Sequence, residues 1–570
     1  MSTPPIHEIK TDILIIGGGA AGCMAAIIAK EKAPQLDVTI LEKAHIERSG
    51  CLAMGLNAIN AHLYRSTPEE YTAYVKKDNY DIVRDDLVLS IGKRLNRMTD
   101  RVEQLGVPLP RDHNGNHISR SPRSIVMLGE QLKPLLANAV SAKGVRILNR
   151  TPVYRLLFDS QHQRISGAAG LNLRTNRPVI ASARAVIVTS GGTSGIYRPT
   201  NPGLARTKTW YCPYNAGSGL SMGLRAGAEM TSFEMRFVAL RTKDVIAPTG
   251  TLVLGTSMPQ CNARDEHYIK NKAAMLGRKL TTCERLLYTI EEHKKGTGPC
   301  YIDVSGLTPA QYNSLVESYL NMAPSIVLDL LQDPRSPRTH IEICGSEPYI
   351  NGGHGMSGYW IDLNRRTTLP GLYAAGDIAG GAPKKYVTGC FAEAEMAVED
   401  ILTHAAGAPH SEIDAAEAHS CVQELISPLN SAGDITFSSL EERIQKIMEE
   451  YAGGSTQNYE TSREKLMLAK QYLNKLSERT REIRAADYHA LMRVHDSLDR
   501  LLLARVLVEH MLARRETRWP CYQTRLDYPI RNDLEFKTFI NSRFDDGSIS
   551  VFKRSLQPPH TRTACKENTL

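Results

Sequence analysis

The chain is short of the features that would settle its class immediately. Nowhere in its 570 residues does an apolar run reach the roughly 18 residues that a bilayer crossing needs, which excludes a membrane-spanning segment. The N-terminus, Met1-Ser2-Thr3-Pro4-Pro5, leads into a strand-like run without the apolar stretch of a secretory signal, so the expected location is cytoplasmic. The eleven cysteines are scattered, with no CxxC or CxxxC pair. That spacing suits neither a disulfide framework nor zinc or iron–sulfur ligation, and no metal site is expected. Charge of one sign is not concentrated either: the net charge of +8 is spread along the chain. It fits attraction for anionic ligands or an acidic partner protein and does not make a nucleic-acid footprint. Hydrophobic residues at 42% and charged ones at 23% are ordinary for a soluble enzyme, and the length allows two to four domains.

What is present is most specific near the N-terminus. A run of branched aliphatics, Ile13-Leu14-Ile15-Ile16, enters Gly17-x-Gly19-x-x-Gly22 and then the helical run Cys23 to Lys32. One glycine turns the chain, one admits the phosphates and one lets helix pack on strand, while the helix N-terminus offers unpaired N–H groups to an anion. Val38 to Leu41 supplies a second strand, and Glu42 follows Gly22 by 20 residues. A carboxylate there accepts ribose hydroxyls and favours FAD or NAD over NADP. Lys43, Ser49 and Gly50 begin a stretch of small residues running to Asn60, which suits backbone laid against a flat ring.

Tyr71 to Gln104 reads as helices and Ser124 to Ala142 as another, beginning near Gly129. Val145 to Leu148, Pro152 to Phe158 and Ile165 to Leu173 are strand-like, and Ala185 to Val188 is an apolar strand closing on Gly191-Gly192. A later strand, Leu372 to Ala375, ends in Gly376-Asp377, an acid suited to ribityl hydroxyls. Gly389-Cys390 precede a helix from Phe391 to His404 whose N-terminal dipole stabilises negative charge on a reduced ring. Residues 411 to 515 are helical by periodicity, and the tail to Leu570 is polar and turn-rich. The expected fold is α/β: a Rossmann-like FAD-binding domain in two parts, 1–235 and 347–408, an inserted α+β capping domain at 236–346, and a C-terminal helical domain with tail at 409–570.

The fingerprint with Glu42, the pair Arg48-Ser49 and the run Leu369-Pro370-Gly371-Leu372-Tyr373-Ala374-Ala375-Gly376-Asp377 resemble the fumarate reductase and succinate dehydrogenase flavoprotein superfamily. Within it the chain is most similar to adenylylsulfate reductase α subunits. That likeness is carried by Glu47 to Asn60, Arg206 to Trp210 with Gly217-Ser218-Gly219, Phe233 to Asp244, Glu347 to His354, and Arg518-Trp519-Pro520 with Tyr522. It implies that adenosine 5′-phosphosulfate and AMP plus sulfite are interconverted through a flavin N5–sulfite adduct. It also implies that electrons are exchanged with a ferredoxin-like iron–sulfur β subunit, since the cysteine spacing of this chain does not suit cluster ligation.

Gly50 stands where the succinate and fumarate enzymes carry a flavin-linked histidine, so the FAD is expected to be noncovalent. By the same resemblance Arg241 clamps the sulfate, with Arg236 competing for that role. His354, between Gly353 and Gly355, holds or moves a proton near neutrality, the glycines letting substrate and flavin approach. Asn60 donates toward the flavin N5 region, and Trp210 and Leu254 wall the pocket. The arginine that protonates fumarate in relatives aligns with Leu280-Thr281, near Arg278 and Arg285. The alternative function is reduction of a polarised carbon–carbon double bond or oxidation of an amino acid; an electron carrier that only docks partners is the reading from a different class.

Overall fold

A computed structural model describes residues 5–54, 56–62, 66–121, 123–201, 209–243, 258–322, 340–405, 407, 409–410 and 412–556. Its centre is a seven-stranded sheet. Strand β1 (His7–Ile16) lies between β2 (Val38–Leu41) and β6 (Arg177–Val188), parallel to both, with Ile16 opposite Leu41 on one side and Val188 on the other. β3 (Arg146–Leu148) extends the sheet beyond β2, and β7 (Leu372–Ala374) pairs parallel with the last residues of β6. The first half of β6 instead pairs antiparallel with β5 (Ile165–Asn172), which pairs in turn with β4 (Val153–Phe158). Buried on both faces, the second half of β1, Ile13 to Ile16, reads as an unbroken aliphatic run, and all four residues of β2 are buried beside it. Helix α1 (Ala20–Lys32) is buried from Ala21 to Ala29, since alanine and glycine let it pack closely on the sheet and on α3 (Tyr386–His404).

The inserted region has its own core. Strands Leu240–Thr242, His340–Gly345, Cys300–Asp303 and Gln260–Cys261 form an antiparallel sheet in that order. Helices Tyr268–Leu276 and Thr282–Lys294 pack on it around Ile302, Ile343 and Tyr319. The expected C-terminal helices are present, among them α4 (Tyr488–Ala513).

Three local readings change. Ser124–Val126 is a strand paired with Ala58–Asn60, and the helix begins only at Leu132, because a long-range partner overrides local propensity. Helix α3 starts at Tyr386, so Gly389 lies in its first turn, its N–H already donated to Lys385 O at 2.9 Å. The turn-rich tail contains a hairpin, Phe539–Asp545 with Ser548–Arg554, which joins a sheet with Met230–Thr231 and Gly358–Tyr359. No described helix is long and apolar enough to cross a membrane.

Candidate active site

Where β1 meets α1, Gly17 takes φ +102°, a left-handed conformation that other residues rarely adopt. A Cβ on Gly22 would stand 2.0 Å from Gly17 O, so the helix can approach the turn only because that atom is absent. Glu42 is buried, and its carboxylate accepts the Gly18 N–H and the Ala44 N–H, both at 2.7 Å. This couples the turn to the end of β2. Lys133, for which the sequence offered no motif, reaches across from its own helix and donates to Gly18 O at 2.5 Å. Gly19 caps α1 without a side-chain hydrogen bond, and the first turn has no acid, so this helix N-terminus favours an anion.

These groups open onto a cavity of about 740 Å3, within the roughly 300–1,000 Å3 usual for ligand sites. Gly17, Gly19, Glu42, Lys43, Ser49, Gly50, Gly376 and Asp377 all line it. The N-terminal residues of three helices meet its wall: Gly19 and Ala20 of α1, Gly217 and Ser218 of α2 (Ser218–Arg225), and Tyr386 and Val387 of α3. Ser49 Oγ is buried with no hydrogen-bond partner, and a Cβ on Gly50 would meet nothing within 4 Å. An unsatisfied hydroxyl, an open wall and helix N-termini fit a dinucleotide with a flat ring attached. Asp377 accepts the Tyr211 hydroxyl at 2.9 Å, and burial raises its carboxyl. Lys43 has its ammonium on Asp496 at 2.6 Å and on Tyr214 O, so it braces the cavity from the side of α4.

Gly192 and Gly389 do not line the described cavity. A Cβ on Gly192 would lie 2.3 Å from Ile350 O, and one on Gly389 would lie 2.8 Å from Lys385 Cβ, so both serve packing beside the site.

His354, Asn60 and Trp210 are brought together on the cavity wall. The His354 ring lies 4.7 Å from that of Trp210, 4.9 Å from Phe237 and 5.0 Å from Tyr386, and its Nδ1 is buried without a partner. Burial, aided by the Lys384 ammonium, holds its pKa down at about 3. It is therefore a neutral imidazole at working pH and does not titrate near neutrality. The flanking glycines answer to the protein instead of admitting a ligand: a Cβ on Gly353 would stand 1.8 Å from Asp377 Oδ1 and one on Gly355 2.8 Å from Asn351 O. Asn60 directs its amide N–H groups to Tyr71 Oη (3.1 Å) and Lys384 O (2.8 Å), not to the cavity.

The two competing arginines separate. Arg236 is wholly buried and gives its guanidinium to Tyr197 Oη and to the carbonyls of Ala452, Gly453, Tyr459 and Tyr522; it ties remote chain segments together and is absent from the described wall. Arg241, also buried, follows Leu240, which does line the cavity. It donates to Thr200 Oγ1 and to Thr242 O (3.2 Å). Thr200 in turn donates through its N–H and hydroxyl to Glu347, which the Tyr349 hydroxyl also reaches. Leu254 lies outside the described residues. Arg278 caps Glu284 in an ion pair at 2.6 Å, whereas Arg285 lines the cavity.

The sequence reading missed Arg120, Arg123, Asp78 and Lys279 on the same wall, as well as Trp519 and Tyr522 as wall residues delivered by the tail. No described group of three His, Cys, Asp or Glu residues could hold a metal ion.

Comparison with known families now decides the cofactor: residues 12–390, about two thirds of the chain, match the FAD binding domain family. The chain belongs to that FAD-binding family. This flavoprotein is an FAD-dependent oxidoreductase, and the sequence-level likeness to the fumarate reductase and adenylylsulfate reductase flavoproteins holds. It is 29% identical to the adenylylsulfate reductase α subunit of Megalodesulfovibrio gigas, covering 97% of this chain and 96% of that one. The adenylylsulfate reductase structure from Archaeoglobus fulgidus superposes on the flavoprotein with a TM-score of 0.91 at 32% identity, covering 97% and 96% of the two chains. A structure of adenosine-5-phosphosulfate reductase with sulfite as a covalent adduct gives 0.90 at 33% identity, covering the same shares.

Proposed function

We propose that this flavoprotein interconverts adenosine 5′-phosphosulfate and AMP plus sulfite, exchanging electrons with a separate iron–sulfur subunit. The observation that carries the reading is the end-to-end likeness to an adenylylsulfate reductase at 32% identity, and the cation-rich cavity supports it. The anion-favouring N-terminus of α1 would take the FAD pyrophosphate, Glu42 the ribose and Asp377 the ribityl chain. FAD supplies a two-electron centre that can also pass electrons singly.

The protein's share of the work is electrostatic. Reduction expels AMP and leaves sulfite, so negative charge gathers on oxygens around sulfur and phosphorus, and fixed donors that need not reorganise lower that barrier. His354 offers the unpartnered Nδ1 as such a group: as a neutral imidazole carrying its proton there, it donates a hydrogen bond to a developing oxyanion without placing a further cation in the buried wall. Arg241 acts as a positioning residue: through Thr200 and Glu347 it holds Tyr349, whose ring lies 5.5 Å from Trp210 on the wall.

The test is turnover of AMP plus sulfite with ferricyanide as electron acceptor. Wild type is expected to turn over, with no acid limb near pH 6.5 in kcat/KM from His354, and H354A to lose about 100-fold or more in kcat. Arg285 on the wall favours the second reading, reduction of a fumarate-like acid. Turnover of fumarate and none of AMP plus sulfite would replace the first reading with it.

A further inference from the structure

Behind the cavity wall lie two wholly buried charges that neither the cofactor cradle nor the reacting region has used. Lys385 is the residue that caps α3, and Glu393 follows two turns into the same helix; the ammonium and the carboxylate pair at 3.0 Å. Both close on Gly376, the wall residue two places beyond β7. Glu393 Oε2 accepts the Gly376 N–H at 2.8 Å, and Lys385 Nζ donates to Gly376 O at 2.8 Å and to Ala379 O at 2.7 Å. With Glu393 as the third acceptor, every hydrogen of the ammonium is used. Gly376 takes φ +84° and has no side chain to direct its backbone, so these bonds fix the path from β7 into Asp377.

The main chain of Lys385 reaches the other side of the site. Its N–H donates to Gly353 O at 3.0 Å, and the Gly352 N–H donates to Asp377 O at 2.7 Å. Asp377 follows Gly376 and His354 follows Gly353, and both line the cavity. One residue thus holds the strand end that carries the acid and the loop that carries the histidine. Taking both charges out of water incurs a desolvation cost that an apolar pair of the same size would avoid, and what they supply instead is bonds of fixed direction. Glu393 Oε1 has no hydrogen-bond partner and stands 3.7 Å from Arg365 Nε, so a cation remains beside the carboxylate if Lys385 is replaced.

We propose that Lys385 and Glu393 are positioning residues: together they fix Asp377 and His354 relative to each other and so hold the flavin ring in register with the group that acts on the sulfur oxyanion. The proposal rests on the function proposed above and on the assignment of Asp377 to the ribityl chain. Neither residue touches the cavity, so its effect must pass through the two wall residues it holds. Orientation of this kind is worth a large factor in rate, because a displacement of about 1 Å in a reacting group can cost 100-fold.

The experiment compares FAD-loaded wild type, K385M, E393Q and the double variant by the visible circular dichroism of the bound flavin, by the dissociation constant of sulfite, and by kcat and KM with AMP plus sulfite. K385M is expected to retain FAD with an altered flavin dichroism, to bind sulfite about tenfold more weakly and to lose about 30-fold or more in kcat with KM for AMP unchanged. E393Q keeps an acceptor for the Gly376 N–H and should lose less, and the double variant should lose no more than K385M, because the two residues act as one unit. Where K385M fails to hold FAD, E393Q carries the test. Flavin dichroism and sulfite affinity both unchanged in the FAD-loaded variants would overturn the proposal. If wild type neither binds sulfite nor turns over AMP plus sulfite, the reaction assigned above fails, and the flavin dichroism of the variants still decides whether the pair positions the ring.

Discussion

Gly22→Ala is expected to yield protein without bound FAD, whereas Gly19→Ala should yield a folded chain that binds FAD weakly. The difference follows from what each added methyl meets. At Gly22 it would stand 2.0 Å from Gly17 O and 2.6 Å from Thr189 Oγ1, far inside van der Waals contact. Either α1 moves off β1 or the Gly17 turn opens, and both displace the N–H groups proposed to hold the pyrophosphate. At Gly19 the nearest protein atom is Thr189 O at 3.8 Å, so the protein tolerates the methyl and only the ligand's space is taken. Over-packing of the first kind costs about 1–3 kcal/mol or more, concentrated here on the binding turn. Visible absorbance after purification and the thermal midpoint of apoprotein separate the two: G22A should fall in both, and G19A should lose about tenfold in FAD affinity with its apoprotein midpoint unchanged. A G22A protein that retains FAD normally would show that the turn relaxes at no cost.

The second large effect is expected far from any cofactor. Glu516 is wholly buried, and its carboxylate accepts Arg514 Nη1 (2.9 Å), Arg518 Nε and Nη2 (2.6 and 2.8 Å) and the Asn532 N–H (2.7 Å). Arg514 also pairs with Glu234, itself bonded to His510, and Arg518 pairs with Asp533. Burial raises the Glu234 carboxyl, but the Arg514 guanidinium and the His510 ring outweigh it and pull the carboxyl below its ordinary range. Glu516→Gln removes the charge between two buried cations and turns an amide N–H toward their donors. Breaking a buried pair in this way costs about 3–5 kcal/mol. Because Trp519 and Tyr522 continue from this network into the cavity wall, FAD should also be released at lower denaturant concentration. Urea titration followed by far-UV circular dichroism and flavin fluorescence measures both; a loss under about 1 kcal/mol would mean that solvent or a rearranged partner satisfies the arginines.

The dinucleotide half of the site was legible in the sequence because it is local. Strand, glycines, helix, second strand and Glu42 lie within 36 residues, and each has its function through neighbours in the chain. The reacting half is assembled from a distance. Nothing in Phe233 to Asp244 distinguishes Arg236 from Arg241, since what fixes Arg236 is a set of carbonyls more than 200 residues away. Lys133, Arg120 and Arg123 carry no motif, and Ser124 to Val126 becomes a strand only because Ala58 to Asn60 is there to pair with it. The neutrality of His354 has the same origin. It is set by burial among Trp210, Phe237 and Tyr386 and by the charge of Lys384, contributed by three separate segments. The tail was read as turns because polar residues dominate it. Its hairpin is held by buried Glu229, which pairs with Arg554 at 2.9 Å and accepts from Asn541 at 2.6 Å.

The most direct measurement is an anaerobic titration of the purified, FAD-loaded protein with sulfite, followed by visible absorbance in the absence and presence of AMP. Bleaching of the flavin band at one sulfite per FAD, enhanced by AMP and lost in H354A, is the predicted result. A spectrum that sulfite leaves unchanged, in a protein that binds FAD and is bleached only by reductants, would contradict the assignment to sulfur oxyanion chemistry.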